Sequence, residues 1–386
     1  MNSAIDQTLI NSLSGSWDGD LALTRTALAQ ARALVNAALV HLRARCSDAK
    51  GALVPEQLDQ QQLASYEIAF CVADLSAADA CVAYAGAVAA ADALAPWAAA
   101  QFSAEAIKAV LGRLVNRPAD YGLNARQIAE CGLAIDDLGL AAHYLAAARM
   151  ADLGRRLSAR EGDFLPANLD TEKEIIRDTF RRFATTVVMP LAEGIHREDL
   201  DVPEAILQPL REMGCFGISI PERYQGLQPD AGDDSLYMIL VTEELSRGSL
   251  GAAGSLITRP EILARALMAG GTDAQRDHWL PRVARGETLC AISLTEPDYG
   301  SDLAAAKFKA TRTDGGWLLN GGKTWCTFAG TASLLLVLAR TGSEAEGFRG
   351  LSLFLVEKPR TSGHSIDVTQ PGGGRLSGRA IPTLGY

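Results

Sequence analysis

The hydrophobic period of this chain changes once, near residue 289, and that change limits what the chain can fold into. Before it, apolar residues recur at helical spacing. After it come short apolar runs of strand length, separated by Gly- and Asp-containing turns. Residues with a helical period cannot line one face of a strand, so the two parts must form different layers.

The helical part divides again. Residues 1–160 are alanine-rich and read as a helical bundle. Within them Ala106, Ile107, Val110, Leu111 and Leu114 share one helix face. Asp136 and Asp137 are adjacent, so they point apart on a helix and read as a solvated turn. A polar stretch, 158–169, contains Gly162 and Pro166 and reads as a linker. Thr171 and Glu174 then have capping-box spacing. Ile176, Phe180, Phe183 and Val187 follow on one face, and Pro190 is expected to end the helix. Arg177, Arg181 and Arg182 lie off that face and are expected to be solvated. A helix from Pro203 to Gly214 turns Ile206, Leu210 and Met213 inward. Further helices are expected over 235–246, 260–268 and 273–285.

Strands are expected over 289–295, 306–313, 317–320, 333–339 and 351–356, with Asp314-Gly315-Gly316 as a hairpin turn. The expected fold is therefore α+β and multidomain. It comprises a helical bundle over 1–160, a second helical domain over 168–288 and an antiparallel, barrel-like β domain over 289–386. The run 380–386 reads as a strand cut short, so the sequence reads as a piece of a longer protein.

Charge and cysteine usage exclude some classes. The formal net charge of −10 argues against a nucleic-acid surface. Seven cysteines form no C-x-x-C pair and sit mostly in apolar stretches. Free thiols in a reducing, cytoplasmic compartment are expected, with no metal site. Residues 1–10 lack a basic region followed by an apolar run, so no signal peptide is expected. The stretch 82–100 is interrupted by Asp92 and Pro96, and no membrane span is expected.

Two glycine motifs resemble phosphate cradles and fail on context. Gly321-Gly322-Lys323-Thr324 lacks the earlier glycine of a P-loop, whose place is taken by Trp317, and it lies between strands. Gly372-Gly373-Gly374 is followed by no helix, and Ser377 stands where the third glycine of a dinucleotide fingerprint belongs. It reads as a mobile surface loop.

The stretch Cys290 to Asp302 is different. A strand runs into Thr295-Glu296-Pro297-Asp298-Tyr299-Gly300-Ser301-Asp302, a Pro/Gly turn that presents hydroxyls and backbone N–H groups. It resembles the T-E-P-x-x-G-S-D signature of acyl-CoA dehydrogenases. Gly271, Gln275, Leu280-Pro281 and Gly286 resemble the helix preceding that signature. Asn320 to Thr327 resembles the family's N-G-x-K-x-W-I-T segment, with Cys326 where isoleucine is usual. Gly214 to Gly217, with Pro221 and Tyr224-Gln225-Gly226, resembles a fourth family segment. The matches run in family order over 169–386.

The resemblance implies FAD as cofactor. It implies Ile292, Leu294 and Thr295 at the flavin ring, Trp325 packed against it, Thr327 near its reactive nitrogen, and Gly300 and Ser301 beside flavin and CoA. Read without the family, Trp325 is as well a core aromatic. The family's glutamate base belongs to a C-terminal helical domain, expected beyond Tyr386, so no catalytic base is assigned and Glu296 is not that base. The chain alone is expected to be inactive.

The long N-terminal extension and residues 254–262 resemble family members acting on a short branched acyl-CoA with a free carboxylate. Arg259 then becomes a substrate contact beside Ser301; its plain reading is an exposed arginine before a Pro-started helix. Acyl-CoA, electron-transfer flavoprotein and further copies of the full-length protein are the implied partners. A scaffold that has lost catalysis and a flavin monooxygenase relative remain as alternative readings.

Overall fold

The computed structural model describes residues 17–160, 165–232, 235–361 and 365–383. Residues 1–10, where no signal peptide is expected, and the last three residues of the run 380–386 lie outside the described residues. The chain forms two compact units, Met1–Asn168 and Leu169–Tyr386.

The first unit is built on three long helices, α1 (Trp17–Arg45), α3 (Gln62–Val88) and α4 (Leu94–Asn116), which pack on one another. The short helix α2 (Pro55–Asp59) precedes α3, and α5 (Ala125–Asp137), α6 (Leu140–Tyr144) and α7 (Ala147–Ser158) complete the unit. Ala27, Ala31, Ala38, Ala78 and Ala85 are fully buried, so the composition serves close helix approach. Larger side chains, among them Leu28, Leu75, Ile107 and Leu114, fill the spaces between. Two buried tyrosines satisfy their hydroxyls on acids of α1 and α3: Tyr144 donates to Asp20 and Tyr121 to Glu67. Helix α3 is long and apolar enough to cross a membrane, by length and composition only. One of its faces packs into the core through Ile68, Cys71, Leu75, Ala78 and Val82.

The second unit begins with α8 (Thr171–Phe183), α9 (Met189–Arg197) and α10 (Glu204–Glu212). The N-cap of α8 is Asp170, whose side chain accepts from the Lys173 amide; it is not Thr171. Pro190 does not end the helix. A π-helical turn, Ala184–Val188, carries it into α9, where proline is tolerated in the first turn. Arg181 is not simply solvated: it is bidentate to Glu244, which is 1% exposed. Arg177 is largely covered as well and pairs with Asp178. Gly214, at φ +72°, stops α10 as a left-handed cap.

Helices α11 (Ser235–Ser249), α12 (Thr258–Gly270) and α13 (Asp273–Ala284) lead to the sheet. Thr272 and Gln275 form a complete capping box on α13. Gln275, matched above as a family position, therefore closes a helix end.

Strand β1 (Cys290–Ser293) pairs in parallel with β4 (Leu334–Arg340). Strand β5 (Leu351–Glu357) lies antiparallel on the other side of β4. The hairpin of β2 (Lys309–Thr313) and β3 (Gly316–Asn320), turned by Asp314-Gly315, meets β4 in parallel at Lys309 and Arg340. The sheet is thus mixed, not all antiparallel, and its described pairings do not close into a barrel. Strands β6 (Ser365–Thr369) and β7 (Arg375–Arg379) form a separate hairpin. Gly372, Gly373 and Gly374 belong to its turn, not to a free loop. The residues 380–383 are not a strand.

The pleat assigns the two faces of the sheet. Cys290, Leu334, Leu336 and Leu355 pack with Leu263, Leu267, Trp279 and Leu280 of α12 and α13. Ala291, Leu335, Val337, Phe354 and Val356 face the other way. Covered on both sides, β4 is apolar along nearly its whole length.

Candidate functional site

Strand alternation puts Ile292 on the helix-facing side of β1 and carries Leu294 to the same side beyond the strand. The N-terminal end of α12 brings Thr258, Arg259 and Ile262 opposite them. The segment after β3 adds Thr324, Trp325 and Thr327. Together with Thr295 these nine residues line one open cleft of about 230 Å³.

The structure therefore gathers Ile292, Leu294, Thr295, Trp325, Thr327 and Arg259 around one space. Gly300 and Ser301 are not among its lining residues. Gly300 lies beside the Thr295 methyl, and both residues are exposed on the adjoining loop. Thr258, Ile262 and Thr324 line the cleft without having been singled out in the sequence. The helical period could have found Ile262, which follows Arg259 by three residues and so shares its face.

Trp325 is the least ordinary of these residues. It is 64% exposed and sits at φ +57°, in the left-handed region. A bulky residue there is strained, and such strain collects at ligand sites. The core-aromatic reading of Trp325 is thereby excluded. Among the described residues, the hydroxyls of Thr295, Thr324 and Thr327 are in no hydrogen bond with another protein group. Arg259 is half-buried, donates to the Ser255 carbonyl and stands at the helix end of the cleft.

Below the cleft lies a buried ion pair. Lys323 Nζ is 2.9 Å from Glu296 Oε1, and each side chain is 7% exposed. Lys323 also donates to the Leu294 carbonyl at 2.7 Å. The other donors to Glu296 are the amides of Lys307 (2.8 Å) and Phe308 (2.9 Å). Burial pushes the Glu296 carboxyl up; these donors more than offset it, and the group is held below the ordinary carboxylate range. A carboxylate so engaged is a poor base, which agrees with leaving Glu296 out of the chemistry. Lys323 is spent on the same contacts and is no phosphate ligand, as the failed P-loop context required.

A flat exposed aromatic, apolar Ile292 and Leu294, and three available hydroxyls fit a planar heterocycle with a polar edge. The cleft is smaller than the roughly 300–1,000 Å³ of ordinary ligand pockets, so these residues make one wall and not an enclosure.

Comparison with known proteins gives these features a family. Residues 170–287 match the acyl-CoA dehydrogenase N-terminal domain and residues 291–377 the acyl-CoA dehydrogenase middle domain. The chain belongs to the acyl-CoA dehydrogenase family. It is 43% identical over 242 residues to (2S)-methylsuccinyl-CoA dehydrogenase of Cereibacter sphaeroides, covering 62% of this chain and 42% of that protein. It is 34% identical over 208 residues to the mitochondrial isovaleryl-CoA dehydrogenase of Arabidopsis thaliana, covering 54% of this chain and 49% of the relative. A solved glutaryl-coenzyme A dehydrogenase–glutaryl-CoA complex is similar at 33% identity with a TM-score of 0.46, over 53% of this chain and 51% of that one. The chain thus spans less than half the length of these two curated relatives.

Proposed function

We propose that this chain supplies one wall of the FAD site in a dehydrogenase of acyl-CoA thioesters. The observation that carries the reading is the convergence of Thr295, Trp325 and Thr327 on one cleft, with Trp325 exposed in a strained backbone. FAD, when bound, supplies the two-electron acceptor for a hydrogen leaving the β-carbon. The part of the chain's own residues is to bind and orient. Trp325, Ile292 and Leu294 offer apolar contact to a ring, and the threonine hydroxyls offer hydrogen bonds to its polar edge. Ser301 and Gly300, on the exposed adjoining loop, are assigned to the thioester side.

The substrate we favour is a short branched acyl-CoA with a free carboxylate, (2S)-methylsuccinyl-CoA, oxidised to mesaconyl-CoA. Support comes from the relative of that activity and from Arg259 at the helix end of the cleft, where a guanidinium can take a carboxylate through two parallel hydrogen bonds. The α-proton must go to a base, and no residue lining the cleft is an acid. The chain by itself is therefore expected not to turn over. Electrons would pass on to an electron-transfer flavoprotein.

The test is an FAD titration of the chain followed by flavin fluorescence, beside Trp325→Ala and Thr295→Ala. Binding weakened roughly tenfold or more in both variants is expected. Binding indifferent to both would overturn the site. For the substrate, a panel of thioesters is assayed on the longer protein carrying this sequence. A wide preference for straight medium chains, or an Arg259→Met variant with unchanged preference for carboxylated substrates, would refute that part.

A further inference from the structure

We infer that Glu296 and Lys323 are positioning residues: their buried pair fixes the distance between the two loops that wall the cleft and so sets how Trp325 is presented. The cofactor arm of the argument rests on the flavin reading above; the geometric arm does not.

Three segments meet at this pair. Leu294 and Glu296 come from the segment following β1, Lys307 and Phe308 from the approach to β2, and Lys323 from the segment after β3. Lys323 Nζ joins the first and third through the Leu294 carbonyl at 2.7 Å and Glu296 Oε1 at 2.9 Å. Glu296 joins the first and second through the amides of Lys307 and Phe308. One residue beyond the lysine, the Thr324 amide donates to the Thr295 carbonyl at 2.9 Å. Leu294, Thr295, Thr324 and Trp325 all line the cleft, and each of these four lies within two residues of Glu296 or Lys323 in sequence.

A buried ion pair is poor at stabilising a fold, because desolvation consumes most of the attraction. It is good at rejecting other geometries, since any opening leaves a charge buried and unpaired. That is what Trp325 requires. A left-handed tryptophan persists only where its surroundings over-determine it, and the anchored Lys323 and Thr324 immediately precede it. The ammonium also stands 5.0 Å from the centre of the Phe308 ring, a second constraint on its position.

The experiment labels the chain with 5-fluorotryptophan and records fluorine NMR. Of the five tryptophans, Trp325 is assigned by the signal lost in Trp325→Phe. Lys323→Met and Glu296→Gln are then compared with the parent. The expected result is a Trp325 signal that shifts or broadens while those of Trp97 and Trp279, set in helices, hold their positions. An unmoved Trp325 signal in either folded variant overturns the inference. So does a shift of equal size in all the tryptophan signals of a variant that remains folded. Should the single variants not fold, the double variant Glu296→Gln with Lys323→Met leaves no unpaired charge; a Trp325 signal at its parental position there also overturns it. In a parallel FAD titration Lys323→Met is expected to weaken binding roughly tenfold or more. A parent chain that takes no FAD counts against the flavin reading, while the fluorine signals still decide the positioning role.

Discussion

Glu244 lies on α11 with its carboxylate out of water, and Arg181 meets it with two hydrogen bonds of 2.6 and 2.9 Å. Removing only the arginine leaves that charge buried. Arg181→Met is expected to lower the stability of the second unit by about 3–5 kcal/mol, and adding Glu244→Gln to recover most of it. Urea denaturation of the three variants measures both. Lys358 gives a prediction of opposite kind. It is buried, with its ammonium on the Gly330 and Pro359 carbonyls, and burial pushes its pKa down to about 8. The folded value lies below the unfolded one, so the unfolded chain holds the proton longer and stability from this group rises between about pH 8 and 10.5. The margin of the parent over Lys358→Met is therefore expected to be larger at pH 10 than at pH 7. Neither partner choice was legible in the sequence. Arg181 falls off the apolar face of its helix and reads as solvated; only the approach of α11 gives it an acid.

Helix ends were partly legible. The Pro203 start and Gly214 stop follow from backbone chemistry that any helix shares, whereas the capping-box spacing of Thr171 and Glu174 lies one residue past the true cap, Asp170. On α13 the cap is complete, and Thr272→Ala is expected to cost about 1 kcal/mol in equilibrium unfolding. Gly226 is more constrained. A side chain there would press on the Ile220 backbone carbonyl, which cannot move aside, so Gly226→Ala should destabilise by about 1–3 kcal/mol. An alanine variant of parental stability would show that the 217–228 turn relaxes freely. The strands between 290 and 357 are legible in the sequence; the β6–β7 hairpin and the strand pairing are not. An apolar run such as 334–340 announces a buried strand, yet it does not say that its neighbour β1 runs parallel to it.

At the scale of the whole molecule, each unit has its own core. All residues assigned to the cleft lie in the second. A chain beginning at Leu169 is accordingly expected to fold and to bind FAD as tightly as the full chain; calorimetric titration of both measures it, and a large loss would mean that the helical extension contributes to the site. Much of this organisation was present in the sequence. Period, caps and turns are local properties, written within a few residues, and they determined the helical and strand-bearing parts, the faces of Ile206 and Leu210, and the signature from Thr295 to Asp302. The strained exposure of Trp325, the meeting of Arg259 with Thr295, and the burial of Glu296 against Lys323, 27 residues away, were decided by tertiary structure alone. Desolvation and pairing depend on which distant segments exclude water from a group, and no local spacing encodes that.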